Sequence, residues 1–294
     1  MLDVTGLVRT LAREAWLREA IVRVPEPMEM NERAQVDAYA DAGGQDDGIM
    51  AVSNLFHAAH ASARIADCSH VVDLGCGPAT QLVRIAQFNP AIRFTGVELA
   101  ENMLERARQH VASSGVDNVE IVQGDMTRLD AFEEHSVDGV ISTMTLHHLP
   151  SVECLGACFQ SVRRVLRVGG ALYLADFGRL KSAASVRFFA HMHESSLPPV
   201  VVTDYELSMG AAFSPAEYRE LLPLLGVDRI ALNTTALTPF MVMLATLPRG
   251  LDAACRARIA SAKALIPREF QGDLSSLRLF FRLGGMSYDP FGGL

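Results

Sequence analysis

Residues 71–80 read Val71-Val72-Asp73-Leu74-Gly75-Cys76-Gly77-Pro78-Ala79-Thr80. The valine-rich start has the composition of a short buried strand. The two glycines that follow, one residue apart, make a turn in which the backbone can approach a ligand closely at the carboxyl edge of a sheet. A helix over 80–88 follows. A dinucleotide-binding turn would carry a third glycine where Thr80 stands. Asp73 is a poor neighbour for phosphate and a good one for a cation such as an α-ammonium group. No lysine follows the glycines as in a Walker loop, so ATP has no evident seat.

Outward from this turn, strand and helix alternate. Strands are expected at 93–99, 119–122, 137–144 and 171–176. Helices are expected at 100–113, ending at Gly115, and at 151–168, stopped by Gly169-Gly170. Short connections between such elements predict a parallel sheet covered on both faces. The alternation lapses over 178–212. Ser214-Pro215 then starts a helix to 225, with Ser at the N-cap and Pro in the first turn. Two strands at 229–235 and 239–246 form a hairpin, and the tail carries one helix over 252–265 and a Gly-rich end. Before the sheet, residues 2–24, 31–39 and 48–66 read as helical, with Gly43, Gly44 and Gly48 as a flexible connection. The expected organisation is a helical lid over 1–66, a core over 67–248 with an insert at 178–212, and a C-terminal extension over 249–294.

Each strand delivers a small or polar residue to the same edge. Glu98 ends the second strand, where a carboxylate can accept both hydroxyls of a ribose. Asp125 ends the third, able to accept the exocyclic amine of adenine, and Met126 beside it offers an amide and an apolar edge. Ser142, Thr143 and Met144 end the fourth, followed by Leu146-His147-His148-Leu149-Pro150.

These segments resemble the class I S-adenosylmethionine-dependent methyltransferases, in the small-molecule branch of ubiquinone and menaquinone methyltransferases. The resemblance rests on 71–80, 95–103, 122–129, 137–150 and 165–177 in family order. It implies a Rossmann-like, mostly parallel seven-stranded α/β sheet of order 3-2-1-4-5-7-6, whose last strand is antiparallel, and S-adenosylmethionine as cofactor. Its implied contacts are Asp73, Gly75, Gly77, Glu98, Asp125 and Met126, with Ser142 near the methionine end. Leu99 and Met103 flank the adenine or fill the core of the next helix, and Tyr39 in the lid faces the sulfonium. Thr143, Met144 and Tyr205 are expected in the acceptor pocket. His147 is the candidate general base for an acceptor that loses a proton; the alternative is that the histidine pair only packs and caps its loop. No metal site is expected, because adjacent histidines diverge and no carboxylate stands at ligand spacing.

The implied activity is methyl transfer to a small-molecule acceptor. The competing readings are a catalytically silent cofactor-binding scaffold and a nucleotide-dependent oxidoreductase. Among the 294 residues, 26 Lys and Arg stand against 34 Asp and Glu, for a net charge of −8. That balance disfavours nucleic acid and anionic membrane as partners. Lysine occurs only at Lys181 and Lys263, so no basic tract exists. Apolar runs are too short to span a bilayer, and charges interrupt the N-terminal apolar residues, so no signal peptide is expected. Five cysteines suit reduced thiols in a cytoplasm. The expected partner is a small-molecule substrate, with a homodimer left open.

Overall fold

The computed structural model describes residues 3–26, 37, 40–41 and 49–292. The expected helix at 31–39, Tyr39 within it, and the glycine connection at 43–48 fall wholly or mostly outside these residues.

Five strands run parallel: β1 (His70–Leu74), β2 (Arg93–Glu98), β3 (Val119–Gln123), β4 (Val137–Thr143) and β5 (Leu166–Phe177). A hairpin of β6 (Ala231–Thr234) and β7 (Met241–Ala245) completes the sheet, with β7 antiparallel to β5. The order is β3-β2-β1-β4-β5-β7-β6, as the family resemblance implies. β1 lies between β2 and β4, so the order of connection reverses there. The loops after β1 and β4 therefore part and leave a crevice at their carboxyl ends.

Burial on both faces explains why the strands read as unbroken apolar runs. Val71, Phe94, Ile141 and Tyr173 face one core, which is built with α2 (Ile49–Ile65) and α3 (Thr80–Phe88). Val72, Val140, Leu172 and Leu174 face the other, with Leu155, Phe159 and Val162 of α4 (Val152–Val165). The helix between β2 and β3, α5 (Glu101–Ser114), ends at Gly115 in the left-handed conformation, the residue at which its end is expected.

Four stretches differ from the sequence reading. The N-terminal helix α1 (Val4–Trp16) stops eight residues short of position 24, and 17–26 run extended as a strap. Tertiary bonds hold the strap: the amides of Ile21 and Val24 donate to the carbonyls of Leu180 and Gly210 at 3.1 Å each. β5 begins at Leu166, where a helix to 168 is expected, because Leu166 pairs with Val137 in the sheet. The insert is helical, with α6 (Ala183–Ala190) and α7 (Pro199–Ala211). Next, α8 (Pro215–Leu221) starts as expected, with Ser214 and Glu217 in a capping box. After α9 (Ala253–Leu265) comes a helix the sequence reading lacks, α10 (Gln271–Leu283). Its Phe281 stacks on Phe56 of α2 at 5.2 Å between ring centroids.

No helix among the described residues is long and apolar enough to cross a membrane.

Candidate active site

The crevice at the carboxyl ends of β1 to β4 holds a cavity floored by the glycine turn. Gly75 and Gly77 have φ of +61° and +52°, a region open to glycine at little cost. A Cβ on Gly75 would lie 2.5 Å from Thr145, whose hydroxyl donates to the Gly75 carbonyl. Among the described residues nothing lies within 4 Å of a Cβ on Gly77, so the turn is open to a ligand there.

Glu98 fixes this turn. Its Oε2 accepts from the Gly77 amide, and its Oε1 from the amides of Leu99 and Ala100, each at 2.9 Å. The carboxylate thus couples the β1 turn to the start of α5. Asp73 is buried nearby, and burial together with the charge of Glu98 pushes its carboxyl well above the usual range. A cationic group in the cavity would relieve both effects. Asp125 Oδ1 accepts from the amide and the hydroxyl of Thr127 at 2.7 Å each, which holds the loop after β3 against the cavity.

The histidine pair departs from expectation. His147 is 2% exposed, and both of its ring nitrogens face carboxylates. Nδ1 donates to Asp176 Oδ1 at 2.6 Å, and Nε2 lies 3.2 Å from Glu26 Oε1. Burial alone would lower its pKa, but Asp176 and Glu26 outweigh burial and hold it up at about 10. With Nδ1 held by Asp176 and Nε2 facing Glu26, neither ring nitrogen is turned to an acceptor's proton, so the geometry contradicts His147 as a free base. Nor do the two rings diverge: their centroids are 4.5 Å apart, and His148 Nδ1 lies 3.3 Å from the same Glu26 oxygen. One ring reaches with Nε2 and the other with Nδ1, so side chains that leave the backbone differently still converge. Burial would raise the Glu26 carboxyl, but the two histidines hold it below its ordinary value.

A second cavity of about 180 Å³ adjoins the first, and Met50, Met144, Phe177 and Tyr205 line both. Its walls are otherwise mostly apolar, with Phe189 stacked on Phe240 at 4.5 Å. At the junction Met144 takes a φ of +54°, which is uncommon outside glycine. His193, 3.6 Å from Asp273, also lines this cavity.

Comparison with known proteins bears on this crevice. The model of a methyltransferase domain family matches residues 71–170. A demethylmenaquinone methyltransferase of Listeria monocytogenes is 30% identical over 114 residues, 38% of this chain and 46% of that protein. A carboxy-S-adenosyl-L-methionine synthase of Aeromonas hydrophila is 34% identical over 128 residues, 42% of this chain and 50% of that protein. Residues 71–170 are a class I S-adenosylmethionine-dependent methyltransferase domain. The chain spans half or less of the length of these curated relatives. The fold extends further: a solved S-adenosylmethionine-dependent methyltransferase from Aquifex aeolicus superposes with a TM-score of 0.51 at 14% identity, covering 74% of this chain and all of that one.

In this methyltransferase domain the cofactor is S-adenosylmethionine, and the crevice suits it. Among the described residues no cation offsets the burial of Asp73, a charge that an α-ammonium would supply, and the backbone at Gly77 is open. Of the expected contacts, Asp73, Gly75, Gly77, Glu98, Leu99, Met103, Asp125 and Met126 line the cavity, and so do Thr143, Met144 and Tyr205. Ser142 does not. It is fully buried and its hydroxyl donates to the Leu74 carbonyl at 3.0 Å, so it ties β4 to β1.

The sequence reading missed what α2 contributes. Ser53, Asn54 and His57 line the cavity from the first half of this alanine-rich helix. Their spacing of i, i+1 and i+4 puts them on one face, a signal that was available. His57 Nδ1 lies 2.7 Å from the Tyr173 hydroxyl, and burial pushes its pKa down to about 4. Glu26 and Asp176 carried no such signal, because each is lone in sequence and gains its meaning from His147.

Proposed function

We propose that this chain transfers a methyl group from S-adenosylmethionine to an apolar small molecule seated in the second cavity. The observation that carries the reading is that Met144, Phe177 and Tyr205 line both cavities, which sets the two side by side. At about 180 Å³ the second cavity exceeds the roughly 150 Å³ that admits a benzene ring. An acceptor with at least one aromatic ring therefore fits.

The bound cofactor supplies a methyl group made electrophilic by the sulfonium. Asp73 binds the ammonium end, and Glu98 shares its oxygens between the glycine turn and the ribose. Met126, Leu99 and Met103 enclose the adenine. Tyr205 and Phe177, edge to face at 5.9 Å, stand at the junction where the acceptor meets the methyl. With His147 pinned, the side chains act mainly by aligning the two reactants and excluding water, which suffices for much of the barrier. The strap and α7 roof the junction and take the part expected of a lid: Ser208 of α7 donates to Glu26 Oε1 at 3.1 Å.

The test is incubation with S-adenosylmethionine and a panel of aromatic and isoprenoid acceptors, with mass detection of products heavier by one methylene. Leu277→Trp, which fills the second cavity alone, should slow transfer and leave cofactor affinity unchanged. Methylation confined to polar acceptors, or indifferent to Leu277→Trp, would overturn the choice of acceptor.

A further inference from the structure

We propose that Glu26, His147 and His148 form a binding site for a divalent transition-metal ion, with Asp176 holding the ring of His147 in its ligating orientation. The Glu26 carboxylate, His147 Nε2 and His148 Nδ1 all lie within 4.8 Å of one another. The two distances to Glu26 Oε1 are 3.2 and 3.3 Å. An ion held tetrahedrally by bonds of about 2.0–2.1 Å sets its ligand atoms roughly 3.3 Å apart. Both histidine nitrogens already stand at that spacing from the carboxylate, and within 4.8 Å of each other they need only draw together to share one ion.

The surroundings are those of a built site. The side chains of Glu26, His147 and His148 are 7%, 3% and 21% exposed. The Nδ1–H of His147 donates to Asp176 Oδ1, which fixes the tautomer whose Nε2 can bind a metal and makes that nitrogen more basic. The amide of His147 donates to the other Asp176 oxygen at 2.9 Å, so backbone and ring are set by one carboxylate. Glu26 is delivered by the strap, and Arg23 three residues earlier anchors that strap on the carbonyls of His147, Leu149 and Pro150.

Two imidazoles and one carboxylate suit Zn²⁺, Co²⁺, Ni²⁺, Fe²⁺ or Mn²⁺ better than Mg²⁺ or Ca²⁺. Three protein ligands leave positions open, the pattern of metal sites that bind a further molecule. His147 and His148 line the cofactor-side cavity with Tyr205 and Ser208, so the further ligand is an oxygen of the acceptor, such as a hydroxyl. That last step rests on the methyl-transfer reading; the binding of the ion does not.

The experiment strips the full chain with a chelator and titrates it with Co²⁺ and Zn²⁺, counting bound metal by mass spectrometry after desalting. Visible Co²⁺ absorption reports nitrogen ligation independently. One equivalent is expected in the wild type. His148→Ala, at the most exposed ligand, and Glu26→Gln should each bind at least tenfold more weakly. Asp176→Asn should weaken binding by about 10- to 100-fold. His191→Ala alters a surface cluster with Glu194 and Glu206 and should change nothing. A wild type that retains no equivalent, or His148→Ala and Glu26→Gln proteins that bind as tightly as it does, would overturn the site. An enzyme that binds the ion but methylates no acceptor would refute only the methyl-transfer reading.

Discussion

The Gly77 amide donates to Glu98 Oε2 at 2.9 Å, so the carboxylate that ends β2 shapes the turn that ends β1. Since Leu99 and Ala100 share the same carboxylate, Glu98→Ala removes an acceptor from three amides at once. Hydrogen bonds to charged groups contribute about 1.5–3 kcal/mol each. The affinity for S-adenosylhomocysteine should fall by at least tenfold, and the melting temperature should drop as well. Asp125→Ala should cost less affinity, because Asp125 organises only its own loop. Calorimetric titration giving equal losses for the two would remove the special place of Glu98.

Asp73 opposes stability and serves binding. A buried carboxyl whose pKa is raised keeps its proton in the native state at pH values where the unfolded chain has lost it. Stability should therefore fall as pH rises from the ordinary carboxylate range toward the raised native value. Asp73→Asn should flatten that fall, raise the melting temperature of the cofactor-free protein at pH 7, and weaken S-adenosylmethionine binding. Urea melts across pH 4–8 read the slope; an asparagine variant less stable than wild type at pH 7 contradicts the argument.

His57 works in the opposite pH direction. Its pKa is pushed down to about 4 by burial, so between about 6.5 and 4 the unfolded state takes up a proton that the native state refuses. Stability is retained above that window and lost on descending through it, by about 3 kcal/mol for this one group. His60, also buried and lowered, adds to the same slope. His57→Gln should reduce the pH slope of unfolding by up to one proton over this window. An unchanged slope would mean that the ring is already charged or solvated in the native protein.

Arg23 is the clasp of the strap. Its guanidinium donates to the carbonyls of Ala211, Pro150, His147 and Leu149, and it lies 4.0 Å above the Phe213 ring. Arg23→Ala should loosen residues 17–26 and speed tryptic cleavage after the already exposed Arg18, at a cost of about 3 kcal/mol for several charge-assisted bonds lost together. Arg23→Lys should rescue little, because an ammonium cannot span four carbonyls as a planar fork does. If tryptic cleavage after Arg18 is no faster in Arg23→Ala, the strap is held by its other contacts.

The sheet and its binding edge are legible in local sequence. Strand composition, the glycine turn and the acids at successive strand ends are local signals, each readable within about ten residues, and a doubly wound sheet then brings them to one edge. For that reason Asp73, Glu98 and Asp125 were legible as a set, although the bonds that occupy Glu98 and Asp125 were not. The strap, the second cavity and the environment of His147 arise instead from long-range packing. A segment such as 17–26 has no pattern of its own; it is extended because Arg23 and Glu26 find partners far along the chain. Ser142 reads as a ligand contact from its place at a strand end, yet the neighbouring strand claims its hydroxyl. His147 reads as a base until Asp176 and Glu26 are seen on either side of the ring. Side-chain function of this kind depends on which charges are packed around a group, and long-range contacts fix that packing with no counterpart in local spacing.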